Sequence, residues 1–103
     1  MSDLEDHNFR IEAGTLVCPE DMNPVPPATF RKWCDRLLDG ADGTVVVDLS
    51  ATRYILSQHV GILANAWSDA VAAGKVLTVR ASAEVKVVLK ATGLASVLEI
   101  IDE

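Results

Sequence analysis

The sequence has no apolar run approaching the roughly 20 residues that a membrane-spanning helix needs, so membrane insertion is not expected. Basic residues are also few: nine Lys and Arg stand against fifteen Asp and Glu, for a net charge of −6. Proteins that grip nucleic acid gather Lys and Arg on one face to neutralise phosphates, so no nucleic-acid partner is expected either. The opening MSDLED is polar and acidic and lacks the basic and apolar segments of a signal peptide, which points to the cytoplasm. Cysteine and histidine are scarce, two of each. Cys18 and Cys34 stand too far apart for a C-x-x-C pair, and a reducing cytosol disfavours a disulfide, so both read as small apolar fillers. No cluster of His, Cys and carboxylates has metal-ligand spacing, and no metal or other cofactor is expected. Residues 50–56 contain none of the glycines of a phosphate-binding or dinucleotide loop, and neither histidine has a spacing that suggests a Ser-His-Asp or Cys-His arrangement. The chain reads as a binding module rather than an enzyme.

What the sequence does hold is hydrophobic mass. Half of its 103 residues are apolar, enough for a single core, and one domain over residues 1–103 is expected, with residues 1–7 a flexible N-terminus. The chain is organised around residues 45–62, VVVDLSATRYILSQHVGI. Val45, Val46 and Val47 run into Asp48 and Leu49 as a buried central strand would. After a polar break at residues 50–53, Ser57 reads as an N-cap, and Val60, Leu63, Trp67, Ala70 and Val71 share one face of the helix that follows. Gly74 and Lys75 close that helix, and residues 76–79 form a second buried strand. Strand, helix and strand make a parallel crossover, nearly always right-handed.

Upstream, residues 8–11 and 15–18 flank Ala13-Gly14 as a β-hairpin. All four prolines fall within PEDMNPVPPATF, which makes that stretch a rigid loop rather than a strand or a helix interior. It leads into a helix over residues 27–38, with Phe30, Trp33, Cys34, Leu37 and Leu38 as the buried stripe and Asp39-Gly40 at its end. Downstream, Ser82 caps a third helix whose Val85, Val88 and Leu89 face the sheet, while Lys86 and Lys90 form an exposed pair of like charge and Gly93 ends it. Residues 97–101 are apolar and pack as a short last helix or strand. The class is α/β, a mixed and mostly parallel sheet of four to five strands with about four helices packed on it.

DLSATRYILSQHVGIL, residues 48–63, resembles the signature of the STAS domains, the bacterial anti-sigma-factor antagonists. In that family a strand ending Asp-Leu-Ser runs through an apolar loop to an Asp-Ser-Ser-Gly-Leu-Gly-like helix start. With Asp48-Leu49-Ser50 on the strand end, Leu56-Ser57-Gln58-His59-Val60-Gly61 falls on the helix start without a gap. SAEVKVVLKATGL, residues 82–94, resembles the family's last helix and the turn that ends it. The likeness covers nearly the whole chain and implies a single STAS-like domain. It breaks at an informative place: the serine phosphorylated in the family matches Gln58, whose amide cannot accept a phosphoryl group. Ser57 matches the first of the paired serines, Leu56 replaces the preceding Asp, and His59 replaces the small Gly. In the proline-rich loop Glu20-Asp21-Met22-Asn23 falls on a Gly-Glu-Leu-Asp-like tetrad beside the phosphorylation site, with Asn23 in place of the acid. Either the phospho-switch is lost or it has moved to Ser57.

The resemblance implies a partner-binding surface containing Asn23, Ser57, Gln58, His59, Gly61 and Ile62, with Ser57 as the phosphorylation site if there is one. The residue types admit plainer roles too. Capping alone, worth about 1 kcal/mol, accounts for a serine at position 57. His59, in the first turn and off the apolar stripe, reads as exposed, either a pH-sensitive contact or simply surface. Gly61 costs about 1 kcal/mol relative to Ala inside a helix, which suggests close backbone packing or the approach of a partner. Trp33 and Trp67 fall on the core stripes. Arg53 contacts a phosphate or an acidic partner, or is a solvated loop charge.

Three functions are compatible with these residues. By resemblance, the chain is a small regulatory protein that binds an anti-sigma factor, or a related serine kinase of the histidine-kinase-like ATPase type, in a partner-switching pathway of transcription control. The second is a non-phosphorylated scaffold or transporter accessory, which Gln58 and Asn23 favour. The third is a thiol or phosphoryl enzyme using Cys18 or Ser57, for which the cysteine version needs a thiol more acidic than the ordinary pKa of about 8.5.

Overall fold

Alternation along two strands decides where the core lies. The computed structural model describes residues 8–40, 43–96 and 98–102. In it Val45, Val47 and Leu49 of β3 (Thr44–Leu49) are buried, whereas Thr44 is exposed and Val46 and Asp48 are half-buried. β4 (Val76–Ala81) turns Leu77, Val79 and Ala81 inward beside Val45, Val47 and Leu49, and its Thr78 is buried on the other face as well. Successive side chains point to opposite faces of a sheet, so one face meets the core and the other looks outward. The valine run is a central strand as expected, but it is fully covered on one face only.

The reason is topological. Five strands lie side by side in chain order: β1 (Arg10–Glu12), β2 (Thr15–Val17), β3, β4 and β5 (Glu99–Asp102). β1 and β2 are antiparallel, and each later neighbour is parallel, joined through α1 (Pro27–Gly40), α2 (Ser57–Ala72) and α3 (Ala83–Ala91). Right-handed crossovers that step one strand at a time in one direction place their helices on the same face. Phe30 and Leu37 of α1, Leu63 of α2, and Val85 and Leu89 of α3 accordingly share one core cluster with the inward residues of β3 and β4. Arg10, Glu12 and Arg80 are exposed on the strands. The sheet is therefore mixed and mostly parallel with five strands. Among the described residues three α-helices and a single 3-10 turn (Leu94–Ser96) stand where about four helices are expected.

Local chemistry explains the ends of the elements. Ala13 and Gly14, with φ of 49° and 78°, make the two-residue left-handed turn of the β1–β2 hairpin, a conformation that glycine adopts freely and alanine does not. Pro27 opens α1, where a missing N–H costs nothing, and the Pro26 carbonyl accepts from Thr29 and Phe30. Ser82 caps α3 by accepting from the Val85 N–H at 3.2 Å, and Gly93 follows the C-cap Thr92 with φ of 81°.

Several expectations need correction. α2 buries His59, Val60, Leu63, Ala66 and Ala70, while Trp67 is half-buried and Val71 is exposed. Val60, Leu63 and Ala70 are inward as expected, but His59 and Ala66 join them in place of Trp67 and Val71, so the stripe is rotated toward positions 59 and 66. Trp33 is likewise half-buried; it stacks on Phe9 at 5.5 Å, and Phe9 stacks on Phe30 at 5.9 Å. Both tryptophans pack against the margin of the core rather than within it. α1 runs on through Gly40, and the apolar tail resolves as the strand β5. The expected flexible N-terminus, residues 1–7, and Val97 lie outside the described residues.

Candidate functional site

Beyond the carboxyl end of β3 the chain is held by three small polar side chains. The Asp48 carboxylate accepts from the Ser50 N–H at 2.9 Å and from the Ser50 hydroxyl at 2.6 Å, which turns the chain out of the strand. Thr52 is fully buried: its hydroxyl donates to the Pro19 carbonyl at 2.7 Å, and its carbonyl accepts from the Ser82 hydroxyl at 2.6 Å. One threonine thus ties the β3–α2 loop to both the proline-rich loop and the start of α3.

From Arg53 the loop runs extended along the proline-rich segment. The Arg53 N–H donates to the Glu20 carbonyl at 2.7 Å, the Met22 N–H donates to the Tyr54 carbonyl at 2.9 Å, and Asp21 and Tyr54 form a parallel bridge. Extended backbone alternates its side chains. Ile55 turns inward and is half-buried, which leaves Tyr54 and Leu56 outward, 55% and 39% exposed. A cleft of about 290 Å³ opens beside them, lined by Asn8, Pro19, Glu20, Asp21, Pro24 and Val25.

The helix start differs from the expectation. Leu56, not Ser57, is the N-cap of α2, and an isobutyl side chain has no acceptor to offer. Ser57 is the first helical residue, exposed, and its hydroxyl makes no hydrogen bond among the described residues. What serves this terminus is His59, three residues into the helix, whose Nδ1 accepts from the Leu56 N–H at 3.1 Å. That is the part a Glu or Gln plays in a capping box. The same ring donates from Nε2 to the Val25 carbonyl at 2.8 Å and meets the Phe30 ring edge-to-face at 5.8 Å. The two bonds together require a neutral imidazole with its hydrogen on Nε2. His59 is therefore fully buried where exposure is expected, because its position lies on the inward stripe of α2 beneath the proline-rich loop.

The other expected surface residues divide cleanly. Asn23, Ser57, Gln58 and Gly61 are exposed on the two segments that His59 joins, while Ile62 is half-buried against the core. A Cβ on Gly61 would meet nothing within 4 Å, so close packing inside the chain does not explain that glycine. Arg53 pairs with Glu84 at 3.4 Å in an exposed contact, the kind worth at most about 1 kcal/mol. Tyr54, Leu56 and Thr52 are the residues that sequence reasoning passed over. The alternation Tyr54-Ile55-Leu56 directly before a helix was the available signal for the first two.

Thiol chemistry is not supported. Burial pushes the Cys18 thiol well above its ordinary range and the Cys34 thiol up to about 12, with neighbouring Cys34 and Asp35 respectively adding to the rise. Neither holds an appreciable thiolate at neutral pH. Among the described residues no group of three or more His, Cys, Asp or Glu is placed to hold a metal ion, and no helix is long and apolar enough to cross a membrane.

No protein-family model and no curated protein matches the sequence. Solved structures do match its fold. The crystal structure of a candidate anti-sigma factor antagonist from Thermotoga maritima superposes with a TM-score of 0.70 at 19% identity, covering 92% of this chain and 84% of that one. The NMR structure of the same protein gives 0.75 at 19% identity, covering 99% and 85%. At such identity the likeness is one of fold, and it extends over nearly all of both chains. The order β1 to β5 with its helices is that of a STAS-like fold.

Proposed function

We propose that the chain is a regulatory protein that works in the cytoplasm by protein–protein binding, in the manner of an anti-sigma factor antagonist, and that it is not an enzyme. The observation that carries this reading is the contiguous exposed strip Tyr54, Leu56, Ser57 and Gln58, raised at the end of the central strand and fixed by Thr52 and His59. Two exposed apolar side chains beside polar ones on a rigid support have the make-up of a protein-binding patch. The partner is an anti-sigma factor or a related serine kinase of the histidine-kinase-like ATPase type, and binding releases a sigma factor or another output protein.

Regulation by phosphate falls to Ser57. Its hydroxyl is exposed and free of hydrogen bonds among the described residues, whereas Gln58 at the matching phosphoacceptor position cannot be modified. A phosphoryl group at the first residue of α2 would sit at the positive end of the helix dipole, so the helix itself tolerates it. Its roughly −1.5 to −2 charges would act on the partner instead, through repulsion and desolvation. A second reading, a permanent adaptor that has discarded the switch, is favoured by Gln58 and by Asn23.

The test is a pull-down from the native lysate with intact-mass spectrometry, comparing wild type with Ser57→Ala and Ser57→Asp. The switch is expected to yield an ATPase-type kinase, a single phosphoryl adduct absent from Ser57→Ala, and release of the partner by Ser57→Asp. A partner retained by all three proteins without an adduct establishes the adaptor. Loss of any specific partner and of any adduct sinks both.

A further inference from the structure

His59 is fully buried, and each of its ring nitrogens is engaged by a backbone group from a different element. Nδ1 accepts from the N-cap amide of α2, and Nε2 donates to the carbonyl of Val25, thirty-four residues earlier, at the end of the proline-rich loop. We propose that His59 is a proton-operated latch, which in its neutral Nε2–H form locks the proline-rich loop to the first turn of α2 and which opens on the α2 side when Nδ1 takes a proton.

The chemistry is one-sided. A proton arriving from solvent uses the Nδ1 lone pair that now accepts from Leu56, so the ring and the amide face each other donor to donor and that hydrogen bond is lost. The Nε2–H bond to the Val25 carbonyl survives and strengthens, because its donor is now charged. An imidazolium against the Phe30 ring is also a charge without an ionic partner among the described residues, and the donor-to-donor clash pushes the Leu56 amide away from the ring while Nε2 stays on the Val25 carbonyl. Among the described residues no carboxylate pairs with the ring. Glu20 and Asp21 on the loop are exposed, Arg31 on α1 is paired with Asp35 and Asp69, and Arg53 is paired with Glu84. Among the described residues the ring's hydrogen-bond and aromatic partners are Val25, Leu56 and Phe30, none of them titratable.

The segment released, Leu56 with Ser57 and Gln58, belongs to the surface assigned above to a partner. The consequence for binding therefore rests on that reading, but the latch itself is measured on the isolated chain. Long-range ¹H–¹⁵N spectra at pH 7.5 are expected to show the Nε2–H tautomer of His59. Between pH 7.5 and 5, protection of the Leu56 amide from hydrogen exchange is compared with that of Val47 in the core strand, while the protonation state of the ring is followed in the same spectra. Relative protection of Leu56 is expected to fall at least about tenfold as the ring is protonated, the equivalent of one hydrogen bond. His59→Gln keeps an amide donor and acceptor but does not titrate, and is expected to show no such step. An Nδ1–H tautomer, an imidazolium formed with Leu56 protection unchanged, or a ring that stays neutral until the chain unfolds would overturn the proposal. All three are read on wild type, so the decision stands even if the variant fails to fold.

Discussion

Ser57 and Ser82 each look like helix N-caps in the sequence, but the structure gives them opposite weight, and substituting each by alanine separates the two roles. Ser82 is nearly buried; its hydroxyl accepts from the Val85 N–H at 3.2 Å and donates to the Thr52 carbonyl at 2.6 Å. Removing it costs the cap, about 1 kcal/mol, and leaves a buried carbonyl without a donor, about another 1 kcal/mol. Ser82→Ala should therefore lose about 2 kcal/mol, which with a urea m-value of roughly 1.5 kcal/mol/M moves the midpoint down by about 1.3 M. Ser57 is exposed and its hydroxyl has no partner among the described residues, so Ser57→Ala should stay within about 0.5 kcal/mol of wild type. Urea unfolding followed by far-UV circular dichroism measures both. Equal losses, or a loss above about 1 kcal/mol in Ser57→Ala, would refute the assignment of Leu56 as the N-cap. The near-neutral outcome also matters for function, since it makes any effect of Ser57→Ala on partner capture a property of the surface rather than of folding.

Alkaline pH should act through the buried thiols. Both folded-state values are raised, so their contribution is complete below the unfolded value of about 8.5 and is lost as pH rises toward the folded value, about 12 for Cys34. Linkage gives a loss on the order of 2 kcal/mol for Cys34 by pH 10, and Cys34→Ala should show a shallower decline between pH 8 and 10 than wild type; parallel slopes would argue against a protonated buried thiol. Gly61→Ala should raise stability by about 0.5–1 kcal/mol, since the helix gains propensity and the new Cβ meets nothing within 4 Å. A lower melting temperature in that variant would mean that the glycine is held close to something.

The fold was legible because its signals are local and repeated. Val45 to Leu49 and Val76 to Ala81 announce strands, the prolines of residues 19–27 exclude regular structure, and Ser82 and Gly93 bracket a helix by cap chemistry that does not depend on distant residues. Burial on one side of the sheet was not legible from the valine run, because Val46 is as apolar as its neighbours. Only the direction in which successive crossovers step decides which of the alternating side chains meets the helices. The rotation of the α2 stripe was hidden for a similar reason. Val71 and Trp67 are apolar, so a wheel drawn on hydrophobicity is pulled toward them, although the buried positions 59, 63, 66 and 70 include a histidine and two alanines.

The geometry around the candidate site was legible only in part, and His59 shows why. A polar residue on an inward stripe is tolerable only if its nitrogens find partners, and one of these, the Val25 carbonyl, lies thirty-four residues away on a loop with no sequence signal for the contact. The departures from the STAS-like pattern at Leu56 and His59 then cease to be independent. An Asp at the N-cap would bring its own acceptor to the helix start, and a Gly three residues on would leave room. Leu56 removes the acceptor and turns an apolar side chain to the surface, while His59 supplies an acceptor for the Leu56 amide from inside the helix and fills the space with a ring packed on Phe30. Leu56 and His59, two positions at which the chain departs from the pattern it resembles, thus build one helix terminus together. The first turn of α2 is held from within, and its outer face leaves Leu56, Ser57 and Gln58 exposed.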